Sequence, residues 1–243
     1  MRDTACNDNY SGFALATSRG CGLLGGLLFW VLLSGCAQRL ELAELERKYS
    51  TEDSRRVEVQ GMSLHYRDEG QGPLLVLLHG TGSSLHTWDA WASTLKAQYR
   101  VIRLDLPGSG LTGPHPQRRY EVSDDVAVLR EFLAHLQISR AHLIGSSLGG
   151  RIAWDYALNH PEQVDSLTLI NALGYPQESW PPAIQLAQWP VIDWLMARYV
   201  PHFIFKQSLA DLYHPDFPLA DELVDRYFEL AQREGNLQAF TDR

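Results

Sequence analysis

The chain has 243 residues, 45% apolar and 21% charged, a mixture that excludes a disordered or collagenous protein. Its 21 basic and 29 acidic side chains give a formal charge of −8, and the lack of a basic run speaks against nucleic acid as a partner. The three cysteines stand at 6, 21 and 36, so the body of the chain has neither a disulfide scaffold nor a zinc–cysteine site.

The N-terminus reads as an address. Gly20 to Gln38 carries no charge, with Arg19 and Arg39 at its borders. The apolar run from Gly22 to Leu33 is followed by Ser34-Gly35-Cys36-Ala37. A cationic lead, about a dozen apolar residues and a small-residue site form a secretory signal. Leu33-Ser34-Gly35-Cys36 also resembles the lipobox of bacterial lipoproteins. That resemblance implies removal of a signal peptide at 1–35 and lipidation of Cys36. With the neutral Ala37 next, it implies a lipid-anchored protein of the cell envelope, on the periplasmic side of the outer membrane. The alternative is an uncleaved membrane helix, since the uncharged stretch approaches the roughly 20 residues that span a bilayer. Both readings tether the protein to a membrane. Residues 36–54 then form the lipid-anchored linker, in which the polar stretch 38–54 reads as a helix and connector.

Past residue 55 the chain alternates strand and helix patterns. Val57-Glu58-Val59 and Met62 to Tyr66 flank a turn at Gln60-Gly61, which makes a hairpin. Leu74 to Leu78 is uninterruptedly apolar, as suits a strand covered on both faces. A helix over about 85–97 precedes the strand Arg100–Leu104. Val126, Leu129, Phe132, Leu133 and Leu136 recur at helical spacing, with Ser123 and Asp124 placed to cap that helix. Ala141–Ile144 is the next buried strand, 149–159 the next helix, and Val164–Ile170 the last strand. This rhythm predicts a mostly parallel sheet with helices on both faces, made mixed by the opening hairpin. From 175 to 240 the pattern is helical and broken by prolines, and it holds twelve of the 25 aromatic residues.

Two motifs carry chemistry. Gly145-Ser146-Ser147-Leu148-Gly149 follows a strand and opens a helix, the context of a G-x-S-x-G nucleophile elbow that raises the Ser147 hydroxyl above the sheet edge. Ser146 has the wrong phase to be the nucleophile. His79-Gly80-Thr81-Gly82 follows the apolar strand directly, where backbone N–H groups hold the negative oxygen of an acyl-transfer intermediate. The elbow supplies one such donor from Leu148, and this loop supplies the other from Thr81. His79 precedes the nucleophile in the chain and reads as structural. Asp105 reads as a residue that bonds local backbone.

With these motifs, Leu104 to Thr112 and His160-Pro161-Glu162-Gln163-Val164, residues 57 to about 240 resemble the α/β-hydrolase superfamily, in the branch with a helical cap after the sixth strand. The resemblance implies an α/β-hydrolase core at 55–174 and a helical cap at 175–240. It places the catalytic acid and histidine beyond the nucleophile, the acid after the seventh strand and the histidine in a loop after the eighth. No such strand pattern follows residue 175, so the chain is expected to be truncated at its C-terminus, without the last two strands. Asn171 occupies the alternative position for the acid. His160, His202 and His214 follow the elbow but read as surface or packing residues.

The expected function is a membrane-anchored serine hydrolase that cleaves an ester or similar acyl bond of a fairly apolar small molecule. It would use Ser147 with a backbone oxyanion hole and require no metal or cofactor. Its truncation would leave it weakly active or inactive. The alternatives are a family relative with other chemistry, such as a carbon–carbon bond hydrolase or a cofactor-free peroxidase, and a non-catalytic lipid-anchored binding protein.

Overall fold

The computed structural model describes residues 40–175 and 189–243. The expected signal peptide at 1–35, Cys36 and residues 176–188 of the expected cap therefore lie outside the described residues. Six strands form one sheet: β1 (Ser54–Val59), β2 (Met62–Glu69), β3 (Leu74–Leu78), β4 (Arg100–Leu104), β5 (Ala141–Ser146) and β6 (Val164–Ile170). Their spatial order is β1-β2-β4-β3-β5-β6. The β1–β2 and β2–β4 pairs are antiparallel, and the others are parallel. Gln60 and Gly61 both take positive φ, 49° and 78°, and join β1 to β2 in the tight two-residue turn whose twist matches a hairpin.

Among the described residues eight α-helices accompany the sheet: α1 (Leu42–Tyr49), α2 (Asp89–Leu95), α3 (Val122–His135), α4 (Leu148–Asn159), α5 (Pro190–Met196), α6 (His202–Leu212), α7 (Asp221–Ala231) and α8 (Asn236–Asp242). The expected helix over 85–97 begins as a 3-10 turn at Leu85–Trp88 and becomes α2 only from Asp89. The expected cap of α3 also differs. Glu121 is the N-cap, Ser123 lies within the first turn, and Asp124 reaches back to accept the Glu121 N–H at 3.2 Å.

Strand alternation decides which face each residue covers. Leu75 and Leu77 of β3 pack with Val101, Trp88 and Ala92 on the α2 side. Val76 and Leu78 point the other way, into a larger core with Ile102, Leu104, Phe132 and Ile152 from β4, α3 and α4. This two-sided burial is why β3 carries no polar residue. At the opposite end of the sheet β6 pairs only with β5 among the described residues, and Leu167 and Leu169 on it are exposed.

The stretch expected to be a linker holds α1, and this helix is docked. Leu45 and Tyr49 are buried in a cluster with Leu111 and Leu230. Lys48 Nζ donates to both carboxylate oxygens of Glu229 at 2.6 and 2.8 Å, and Tyr49 Oη donates to the same group at 2.8 Å. Leu42, Leu45 and Tyr49 fall at i, i+3 and i+7, the stripe of a helix with one buried face.

Candidate active site

Ser147 sits at the turn from β5 into α4 with φ 52° and ψ −116°, a conformation that L-residues rarely adopt. The surroundings hold it there. Its N–H donates to the Ile170 carbonyl at 3.0 Å, and its carbonyl accepts from Leu173 N–H at 3.1 Å and Arg151 N–H at 3.0 Å. The glycines of the motif are needed for space. A Cβ on Gly145 would lie 2.3 Å from the Gly149 carbonyl oxygen, and one on Gly149 would lie 2.2 Å from that of Leu78.

The His79–Gly82 loop runs past this turn. A Cβ on Gly80 would come within 3.1 Å of Ser147 Cβ. Ser83 N–H donates to the Gly80 carbonyl at 3.3 Å and closes a four-residue turn, with Gly82 third at φ 66°. Neither Thr81 N–H nor Leu148 N–H is taken up by a hydrogen bond among the described residues. Two unengaged amides thus lie in the elbow and in the loop that passes Ser147, the kind of donor that an oxyanion requires.

The polar groups beneath are structural. His79 is fully buried, its Nδ1–H donating to the Gly80 carbonyl at 2.8 Å and its Nε2 accepting from Leu106 N–H at 3.0 Å. Burial pushes its imidazole below the ordinary range and keeps it neutral. Asp105, also fully buried, accepts from His65 Nδ1, Leu85 N–H and Leu111 N–H, each at 2.8 Å. Burial alone would raise its carboxyl. The hydrogen bond and charge of His65 prevail and hold it below the usual carboxylate range.

None of the later histidines is hydrogen-bonded to Ser147. His160 caps α4 and lies against Tyr156, with ring centroids 4.9 Å apart. His202 Nε2 binds Asp225 Oδ1 at 2.8 Å, and His214 Nδ1 lies 3.7 Å from Asp216. Asn171, in the alternative acid position, is exposed with φ 45°. Two contacts across the site have no sequence signal. Tyr227 of α7 reaches Ser83 and Thr87, and the Phe240 ring of α8 lies 3.3 Å from where a Gly82 Cβ would be.

The family model for the alpha/beta hydrolase fold matches residues 73–214, and the chain belongs to that family. An uncharacterised protein of Mycobacterium bovis is 34% identical over 120 residues, covering 49% of this chain and 35% of that one. Human epoxide hydrolase 4 is 32% identical over 166 residues, covering 62% and 46%. The chain thus spans about a third to a half of these curated relatives. A solved structure described as a membrane phospholipase A, a bacterial virulence factor, superposes with a TM-score of 0.65 at 28% identity, covering 91% of this chain and 74% of that one.

Proposed function

We propose that this protein is a membrane-tethered serine hydrolase cleaving an ester or similar acyl bond of an apolar small molecule. The observation that carries it is the Ser147 elbow, held at φ 52° beside the unengaged N–H groups of Thr81 and Leu148. In this reading the Ser147 oxygen adds to the acyl carbonyl while its proton passes to a water molecule, which returns a proton to the leaving group in the next step. The resulting oxyanion is held by Thr81 and Leu148 N–H. Collapse expels the leaving group with a proton, and water then hydrolyses the acyl-serine. The aromatic C-terminal helices and the phospholipase neighbour support an apolar acyl substrate.

Lipidation at Cys36 supplies the tether. Among the described residues no helix is long and apolar enough to cross a membrane. Cys36→Ser should release the protein from membranes or leave it unprocessed, and unchanged fractionation and migration would overturn that part.

The nucleophile is tested by labelling with a fluorophosphonate. The reaction should be slow, because no histidine is bonded to Ser147 among the described residues, but confined to Ser147 and abolished in Ser147→Ala. Label persisting in that variant would overturn the assignment.

A further inference from the structure

Helix α7 is joined to the core by three sets of polar contacts. Glu229 holds Lys48 and Tyr49 of α1. Arg226 donates to Asp89 at 3.1 Å, a carboxylate that core arginines Arg67 and Arg103 also face. The third set is of a different kind. The Tyr227 hydroxyl lies 3.2 Å from Ser83 Oγ and 3.2 Å from Thr87 Oγ1, and those two hydroxyls are bonded to each other.

Ser83 is the last residue of the Gly80–Ser83 turn, and its N–H is the bond that closes it. Thr81, whose N–H is free, lies two residues before Ser83. Thr87 lies in the 3-10 turn that follows, which Asp105 anchors through Leu85 N–H. Ser83 is thus tied directly to the anchored 3-10 turn, and Tyr227 adds a third hydroxyl that contacts both ends of that tie. Phe240 covers the same turn at Gly82. The Tyr227 ring supplies the packing, and the hydroxyl adds two contacts to the turn, one of them partly shielded from water. It also hydrogen-bonds the Tyr213 hydroxyl, but its two partners in the core, Ser83 and Thr87, both belong to the segment that sets the Thr81 amide.

We propose that Tyr227 is a positioning residue for the oxyanion hole, through which the seating of the C-terminal helices fixes the direction of the Thr81 N–H. This rests on the reading of Ser147 as nucleophile and of Thr81 as an oxyanion donor. Tyr227 touches no reacting atom, and it acts through Ser83 and Thr87. The turn's own closing bond is long, at 3.3 Å; His79 holds its Gly80 end, and the Ser83 end depends on the hydroxyl contacts with Thr87 and Tyr227. Oxyanion donors act only when held in place before the charge develops, so loosening this turn should slow reaction without weakening binding.

The test uses Tyr227→Phe in the full chain, which removes one oxygen and keeps the ring. The first readout is fluorophosphonate labelling of Ser147 against probe concentration, with Ser147→Ala as blank. The second is hydrogen exchange in the peptide that contains 80–83. The limiting labelling rate should fall about tenfold, while the half-saturating concentration moves less than twofold. Exchange in that peptide should rise, and elsewhere on α7 it should stay unchanged. Ser83→Ala should produce the same rate loss, and the double variant should lose little more than either single one. A variant that labels at the parental rate with unchanged exchange would overturn the proposal and leave the Ser147 assignment standing. So would one that only lowers the melting temperature. A parent that takes no label at Ser147 would overturn the Ser147 reading and, with it, this one. Exchange would then report only whether Tyr227 holds the turn.

Discussion

Helices α3 and α4 differ from α5 and α6 in what fastens them. The first pair buries whole apolar faces against the sheet, with Val128, Leu129, Phe132, Leu133, Ile152 and Tyr156 enclosed. α5 has no buried residue and α6 only Leu209, while Trp189, Trp194 and Phe203 stand out at 66%, 54% and 72% exposure. α7 lies between these cases, docked through Arg226, Tyr227 and Glu229 rather than through a broad apolar face. The strained serine therefore sits on the part of the molecule held by continuous packing. The outer helices α5 and α6 bury almost no side chain, and α7 reaches the loop beside the serine through Tyr227.

The sharpest way to break this comparison is to truncate one ring in each region. Phe132→Ala on α3 should destabilise by about 3–5 kcal/mol, since the ring is fully enclosed. A loss under 1 kcal/mol in urea unfolding would show that the core is looser than described. The next effect follows pH. His86 is buried between Tyr49, Ser84 and Arg67, and burial, the largest influence, brings it down to about 4. A histidine lowered on folding is more easily protonated in the unfolded chain, so stability is lost as pH falls from about 6.5 toward 4. The loss from His86 alone should reach about 3 kcal/mol, with buried His79 acting in the same direction. Asp105, lowered on folding, adds nothing to that window. Its stabilisation is present above about pH 4 and fades only below. Urea melts at pH 7 and 4.5 measure this, and His86→Gln should flatten the slope.

A third change works on the elbow itself. Ser147→Gly removes the Cβ from a disfavoured conformation and should raise stability by about 1 kcal/mol while abolishing labelling. A destabilised variant would mean that the turn is relaxed in its present form. The smallest effect belongs to the outer helices. Trp194 of α5 is over half exposed and covers the Arg198 guanidinium at 4.0 Å, so Trp194→Ala should cost less than about 1 kcal/mol. A loss near that of Phe132→Ala would erase the contrast.

The sheet was legible because each strand is short and its pattern local. Leu74–Leu78 reads as doubly covered, and Gln60-Gly61 as a hairpin turn, without any distant residue. The elbow and the His79–Gly82 loop were legible as well, since a strand lies directly before each. The His65–Asp105 pair spans 40 residues, and the Tyr227 contacts span 144 and 140. Contacts at that range carry no periodic signal. The docking of α1 was a different failure. Its apolar stripe is present in the sequence but interleaved with Glu44, Glu46, Arg47 and Lys48, and the partners Leu111 and Leu230 lie far along the chain. The C-terminal helices were readable as helices but not as surfaces, because exposure depends on what packs where.

The crowding at Gly145 and Gly149 limits how this protein can vary over generations. At a position walled by side chains, a larger residue can be accommodated once a neighbour shrinks, so a second change rescues the first. Here the obstructing atoms are main-chain, the Gly149 and Leu78 carbonyl oxygens, and every amino acid shares them. No second-site change of side chain can make room. The two positions are closed to gradual, compensated drift, and a lineage that loses either glycine can recover the elbow only by direct reversion.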